Sequence, residues 1–189
     1  MNEHDPHLLL ELRVAGSRDL LQAYEQGALD AILVMEPESR RQEGEVIYAE
    51  QFAWIAAAHW RPRPGDPLPL STQGEGCSIR AAAVRALDQA GIAWTEVFIG
   101  KGAAVLGAAA AAGLAIAVLA QRAAPLGTID IAPALSLPEL PRQDVVLYTA
   151  LNDKRSRQAL RTLAEAFKQL AVASSPTPRP KPVTRKETA

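Results

Sequence analysis

Cysteine, histidine and aromatic residues are scarce in this chain of 189 residues. Cys77 is the single cysteine, so no disulfide can form within the chain, which is typical of a reducing compartment. The histidines, His4, His7 and His59, lack metal-ligand spacing with cysteine or acidic partners, so we predict no metal site. The 20 basic and 21 acidic side chains nearly balance, which does not favour direct binding of nucleic acid.

A signal peptide and a transmembrane helix are also not indicated. Met1 to Leu10 contains acidic residues and has no basic region before a long apolar core. Ala103 to Ala120 is uncharged and approaches the ~18 residues of a spanning helix. It is mostly alanine and glycine, and we read it as a helix, a stop at Gly113 and a buried strand. We therefore expect a cytoplasmic protein without membrane contact.

The remaining pattern alternates between strands and helices. Leu8 to Val14 is predicted to be a strand, Ser17 to cap a helix ending near Gly27, and Ala31 to Val34 to be a buried strand. These three elements would form one βαβ unit with a right-handed crossover. Further predicted elements are two extended segments within Glu45 to Ala58, a helix from Ser78 to Ala90, strands at Trp94 to Ile99, Leu114 to Leu119 and Val145 to Tyr148, and a final helix with Leu160, Leu163, Phe167 and Leu170 on one face.

Two proline-rich segments, Arg61 to Pro69 and Leu137 to Pro141, mark connections near crossings between two lobes. We predict an α/β protein in which residues 8–55 and 143–172 form lobe I and residues 56–142 form lobe II. Residues 173–189 are rich in proline and basic residues and are predicted to be a disordered tail. A contact of this tail with DNA or an acidic surface is the weaker alternative.

Five stretches also resemble one protein family. They are Gly16-Ser17 with "QGALDAILV" from Gln26, "EQFAWIAAAHW" from Glu50, "PLPL" from Pro67, "GCSIRAAAVRALDQAGIAW" from Gly76, and "AAAAAGLAIAVLA" from Ala108. In order and spacing they resemble the effector-binding domain of LysR-type transcriptional regulators, from about Leu8 to Leu170. Ala115 stands where the family usually has glycine, and Ser71 to Gly76 is too polar to continue the buried strand expected after "PLPL".

The resemblance implies a type 2 periplasmic-binding-protein-like fold, with two Rossmann-like subdomains joined by two crossover strands. It also implies a small effector, often a carboxylate, bound between the lobes of a homodimer or higher oligomer. We expect DNA to be contacted only through a winged helix-turn-helix that this sequence does not contain. The first strand and helix of the family's sensing domain are also expected to be missing, which leaves a strand edge that favours self-association.

Candidate ligand residues lie at predicted helix starts, because free amides and the helix dipole there attract anions. They are Ser17, Ser78, Ile79, Arg80, Gly100, Lys101 and Gly102. Arg80 has the geometry for a bidentate contact with a carboxylate. The alternative is that both serines serve only as caps, that Arg80 and Lys101 are solvated, and that the glycines serve only the turn.

Nucleotide cofactors and enzymatic activity are not indicated. Gly100-Lys101-Gly102 matches neither a Walker loop nor a dinucleotide loop, whose sixth position is Val105 here. Cys77 before a helix has the setting of a nucleophile, but nothing places His59 near it as a base. We therefore predict a regulatory sensor without cofactors. A type 2 solute-binding protein and a remnant that acts by dimerisation remain the alternatives.

Overall fold

The computed structural model describes residues 9–36 and 44–173. Its helices are α1 (Ser17–Glu25), α2 (Ser78–Gln89), α3 (Ala103–Ala111), α4 (Ala132–Leu135) and α5 (Lys154–Ala173). Its strands are β1 (Ala31–Glu36), β2 (Glu45–Glu50), β3 (Phe52–Ala57), β4 (Leu68–Thr72), β5 (Trp94–Ile99), β6 (Ile116–Ala120), β7 (Thr128–Asp130) and β8 (Gln143–Thr149). The strands form two sheets, and each sheet is the centre of one lobe.

The first lobe is a three-stranded antiparallel sheet in the order β1-β8-β2, with α1 and α5. β8 is the central strand, and its Val146 lies opposite Val34 of β1 and Val46 of β2. The apolar face of α5 packs on this sheet, where Ala164 joins a buried cluster with Ile47 and Leu147. The predicted return of the chain to this lobe through a strand at Val145 to Tyr148 is confirmed.

The second lobe is a five-stranded sheet in the order β5-β4-β6-β3-β7. β4 pairs in parallel with β5 and β6, whereas β3 is antiparallel to β6 and β7. All six residues of β3 are buried, because helices cover both faces of the sheet. Successive β3 residues therefore serve opposite faces: Trp54 packs with the cluster that includes Leu87 of α2, and Ile55 packs with Leu106 of α3.

The two lobes are joined by two neighbouring chain crossings. One lies at Gln51, between β2 and β3, and the other runs from Leu140 to the start of β8. The side chain of Gln51 ties them together, since its Nε2 donates to Leu140 O at 3.3 Å and its Oε1 accepts from Arg142 Nε at 3.0 Å. The predicted lobe limits at 55/56 and 142/143 stay predictions; the sheets themselves change at Gln51.

The predicted strand at Leu8 to Val14 is wrong for residues 9–14, and Leu8 lies outside the described residues. Leu9, Leu10, Leu12 and Val14 are 67–91% exposed, and no described strand pairs with this segment. A segment rich in apolar residues becomes a strand only where a neighbouring strand takes up its backbone hydrogen bonds. The predicted βαβ unit is therefore absent, and β1 pairs antiparallel with β8 instead.

The predicted serine caps are also wrong. Gly16 and Cys77 occupy the N-cap positions of α1 and α2, so that Ser17 and Ser78 are already the first helical residues. The segment "PLPL" is not a lead-in to a later strand, because β4 itself begins at Leu68 and includes the polar Ser71 and Thr72.

The uncharged segment from Ala103 to Ala120 does not form one long helix. Ala103 to Ala120 forms α3 and β6, as predicted, and no helix within residues 9–36 and 44–173 is long and apolar enough to cross a membrane. The predicted tail at residues 173–189 stays a prediction, since Ala173 is the last residue of α5 and residues 174–189 lie outside the described residues.

Candidate functional site

One edge of the five-stranded sheet brings several helix starts and strand ends together. β4, β5 and β6 are parallel, so their carboxyl ends, at Thr72, Ile99 and Ala120, share this edge. α2 and α3 follow β4 and β5, and their N-termini therefore lie here as well. A cavity of about 1110 Å³ opens between this edge and the first lobe. The location agrees with the general rule for ligand sites in such sheets.

The N-terminus of α2 forms part of the cavity wall through Cys77, Ile79 and Arg80. No side chain caps this helix, and the first amide that donates within it is Ala81 N–H, to Cys77 O at 3.0 Å. The amides of the first turn therefore have no capping acceptor. This helix start presents donors and a partial positive charge toward the cavity.

Ser71 supplies an unusual polar group to the same wall. Its side chain is buried, with 2% of the residue exposed, and its Oγ has no hydrogen-bond partner among the described residues. A buried hydroxyl without a partner costs free energy, so such groups are rare in folded proteins. The Ser71 hydroxyl is thus available to a polar group that enters the cavity.

Arg80 lines the cavity, but its guanidinium is already engaged. Its Nε and Nη2 donate to the two carboxylate oxygens of Glu96, at 2.7 and 2.9 Å. Thr72 Oγ1 donates to the same carboxylate and accepts from Gly74 N–H at 3.0 Å. The hydrogen bonds from Arg80, and then from Thr72, lower the pKa of Glu96 from 4.5 to about 2. A ligand carboxylate would therefore have to compete with Glu96 for Arg80, and the predicted contact stays a prediction.

The two predicted serines hold elements together. Ser17 lines the cavity, and its Oγ accepts from Met35 N–H at 3.2 Å, which fixes α1 against β1. Ser78 Oγ donates to Gln143 Oε1 at 3.2 Å and so links α2 to the start of β8. Ser78 is not among the residues of the cavity wall.

The predicted loop from Gly100 to Gly102 also lies off the cavity wall. Gly102 is the N-cap of α3 with φ +85°, a conformation that favours glycine. Gly100 N–H donates to Thr72 O at 2.9 Å, and Lys101 Nζ lies 3.5 Å from Gln73 O. The loop braces the end of β4. Of the predicted site residues, the structure thus brings Ser17, Ile79 and Arg80 to the cavity.

Several cavity residues were missed from the sequence. Ser71, Thr72 and Gln73 line the wall, and their signal was available, because polar residues at the end of an apolar strand mark the ligand edge of a parallel sheet. Glu50 and Arg122 also line it, and no local pattern connects two residues that lie 72 positions apart.

Glu50 and Arg122 form an ion pair between the two lobes. Arg122, after β6, donates through Nε to Glu50 Oε2 of β2 at 2.6 Å. Arg122 Nη2 also donates to the Tyr48 hydroxyl, and its guanidinium carbon lies 4.8 Å from the centre of the Tyr48 ring. Burial is the main cause that raises the pKa of Tyr48. Glu50 is 6% exposed, so the pair is partly removed from water.

Cys77 and His59 lie at opposite edges of the second sheet. Cys77 precedes α2 at the carboxyl edge, whereas His59 follows β3 and lies beside Gly113, before the start of β6. A Cys–His pair is therefore not assembled. Within the described part of the chain, no group of three or more histidine, cysteine or acidic side chains is placed to hold a metal ion.

The fold and the cavity define a two-lobe α/β protein of the type 2 periplasmic-binding-protein-like class. A family model described as "LysR substrate binding domain" matches residues 1–172. The chain belongs to this family, as the sequence motifs indicated. The HTH-type transcriptional regulator DgdR of Burkholderia cepacia is 28% identical over 142 residues, which are 75% of this chain and 48% of DgdR. The chain thus spans about half of this relative, and both the family and the relative are transcriptional regulators.

Solved structures show the same fold at low identity. The apo regulatory domain of HypT from Salmonella typhimurium has a TM-score of 0.64 at 13% identity, covering 88% of this chain and 86% of that one. The regulatory domain of CcmR from Synechocystis PCC6803, in complex with 2-PG, has a TM-score of 0.65 at 15% identity, covering 87% and 85%. These similarities support the two-lobe fold.

Proposed function

We propose that this chain is the sensor of a transcriptional regulator and binds a small effector in the cavity between its lobes. The observation that carries the proposal is the pairing of the uncapped α2 N-terminus with the unpartnered Ser71 hydroxyl on one wall. Unpaired donors on a concave wall between two lobes are typical of a small-molecule site.

The proposed effector is a small carboxylate. The α2 N-terminus favours an anion, with the amides of Ile79 and Arg80 as donors and Ser71 as a neutral partner. Ser17 lies on the same wall, but its hydroxyl already accepts a backbone hydrogen bond. Four predicted residues would contact an effector only if the binding site extends beyond the described cavity wall: Ser78, Gly100, Lys101 and Gly102. The CcmR regulatory domain, which has this fold, was solved with 2-PG bound.

The proposed mechanism is a change in the angle between the lobes. A ligand changes that angle only through a difference in its affinity for the two arrangements. The response would pass through a homodimer or higher oligomer to a separate DNA-binding domain, in a cytoplasmic protein that catalyses no reaction. Leu9, Leu10, Leu12 and Val14 line the cavity and also remain exposed, which supports association, since exposed apolar patches mark contact surfaces.

Thermal unfolding with a panel of small carboxylates, aromatic acids and amino acids tests the proposal. Ligand at about a hundredfold excess over Kd adds about 2.7 kcal/mol to the stability of the folded state. We expect one compound to raise Tm in the parent protein, and Ser71→Ala to remove most of that rise.

Thr162→Ala is the matched control, because Thr162 is an exposed hydroxyl residue on α5 and lies outside the cavity wall. A panel in which no compound shifts Tm would contradict effector binding. It would favour a protein that acts by dimerisation with another regulator. A shift retained in Ser71→Ala would place the effector elsewhere.

A further inference from the structure

Of the three arginines that line the cavity, Arg80 and Arg122 are each bound to a carboxylate, but the two pairs connect different parts of the molecule. Arg80 of α2 and Glu96 of β5 both belong to the second lobe. Arg122 follows β6 in the second lobe, whereas Glu50 and Tyr48 belong to β2 in the first lobe. A change in the angle between the lobes leaves the Arg80 pair intact and strains the Arg122 contacts.

The Arg122 contacts lie directly at a chain crossing. Glu50 is the last residue of β2, and Gln51 forms the connection to β3. The residue before Arg122, Gln121, donates its N–H to Gln51 O at 3.0 Å. Arg122 therefore follows a residue that is bound to the crossing, and its side chain reaches back into the first lobe.

Burial makes these contacts expensive to break. The Glu50 side chain is 8% exposed and that of Arg122 is 28% exposed. Without Arg122, the Glu50 carboxyl would be poorly hydrated and would lack its partner in the arrangement described here, which is strongly unfavourable. The lobe arrangement is therefore sensitive to whether Arg122 remains bound to Glu50.

We infer that Arg122 is a positioning residue that holds the two lobes in the arrangement described here, and that it couples the cavity to that arrangement. The coupling rests on the proposed function, because Arg122 lines the proposed effector site. An anionic group in the cavity that attracts the Arg122 guanidinium weakens the Glu50 contact and frees the lobes. Arg80, although it also lines the cavity, has no such effect on the lobe angle.

Distance measurement between the lobes tests this inference without any effector. Spin labels are placed at Gln89→Cys on α2 and Gln158→Cys on α5, two exposed positions, in a Cys77→Ala background. Pulsed electron–electron double resonance then gives the distribution of distances between the two spin labels, one in each lobe. In Arg122→Gln we expect a second population at longer distance, holding about 10% or more of the molecules.

Three further variants make the result specific. Arg80→Gln, the matched cavity arginine, should keep the parent distribution. Arg122→Lys keeps the charge opposite Glu50 and should restore most of the parent distribution. The double variant Glu50→Gln/Arg122→Gln leaves no unpaired buried charge at this contact, so it replaces the single variant if Arg122→Gln does not fold. It should show the same second population at longer distance.

A parent-like distribution in both Arg122→Gln and the double variant, with folding verified by cooperative unfolding, would overturn the inference. An equal second population in Arg80→Gln would also overturn it, since the effect would then be general to the cavity charges. Because no effector is needed, these outcomes are independent of whether a carboxylate binds at Ser71.

Discussion

The two lobes bury their apolar residues to different extents. In the second lobe, both faces of the sheet are covered, and Trp54, Leu70, Leu87 and Ile116 are fully buried. In the first lobe, α1 has no buried residue, and the described core around Ile47, Leu147 and Ala164 is small. Because burial of apolar surface is the main favourable contribution to folding, we expect the second lobe to be the more stable unit.

The difference indicates how a two-lobe sensor is built. The second lobe carries the α2 N-terminus and Ser71, and a well-packed core holds their positions. The first lobe supplies Ser17, Tyr48 and Glu50 from elements with less support. We therefore expect the cavity to combine a rigid wall with one that is easier to displace.

The largest expected effect is that of Trp54→Ala. Trp54 is 1% exposed and its Nε1 donates to Pro138 O at 2.8 Å, so truncation should cost about 3–5 kcal/mol of unfolding free energy. Phe167→Ala, in the half-buried stripe of α5, should cost about 1–3 kcal/mol. Urea denaturation measures both, and equal losses would contradict the contrast between the lobes.

A smaller loss is expected for Gly107→Ala in α3. The new Cβ would lie 2.7 Å from Pro125 Cγ, so overpacking outweighs the better helix propensity of alanine and should cost about 1–2 kcal/mol. The measurement is again urea denaturation, with Gly107→Ala/Pro125→Ala as the partner variant that should recover the loss. A gain of about 1 kcal/mol in the single variant would show that this packing yields easily.

The Arg80–Glu96 pair predicts a modest pH dependence within the second lobe. The pKa of Glu96 is lowered from 4.5 to about 2, so its stabilisation is complete above about pH 4.5 and is lost as the pH falls toward 2. We expect about 1 kcal/mol, since the pair remains partly hydrated. Glu96→Gln should flatten the stability profile between pH 4.5 and 2 relative to an exposed control, Glu139→Gln. An unchanged profile would mean that other carboxylates cause the acid sensitivity.

The smallest effect on stability is expected for Leu10→Glu/Leu12→Glu. Leu10 and Leu12 are 67% and 75% exposed, so the unfolding free energy should change by no more than about 0.5 kcal/mol. Light scattering after size exclusion should nevertheless show weaker self-association, because the apolar segment proposed to mediate association becomes charged. A large loss of stability would show that this segment belongs to the core of the first lobe.

Much of the second lobe could be predicted from the sequence. The Leu87 face and the stop at Gly91 indicated α2, and the glycine at 113 separated α3 from β6. Strands were also predicted where β3 and β5 lie. The first lobe was predicted less well, because the strand at Leu8 to Val14 was inferred only from its richness in apolar residues. For the proposed site, the helix starts pointed to the sheet edge at which the cavity opens, but the polar end of β4 was overlooked.

The sequence by itself determined most of the alternation of helices and strands and the family, because these depend on local apolar periodicity, glycine and short motifs. The tertiary structure alone decided that Glu96 binds the Arg80 guanidinium, that the Ser71 hydroxyl lacks a hydrogen-bond partner among the described residues, and that Arg122 binds Glu50 across the two lobes. Each of these facts depends on which distant residues the folded sheets bring within hydrogen-bond distance. No local pattern carries that information, since side-chain pairing is set by the packing of the whole chain.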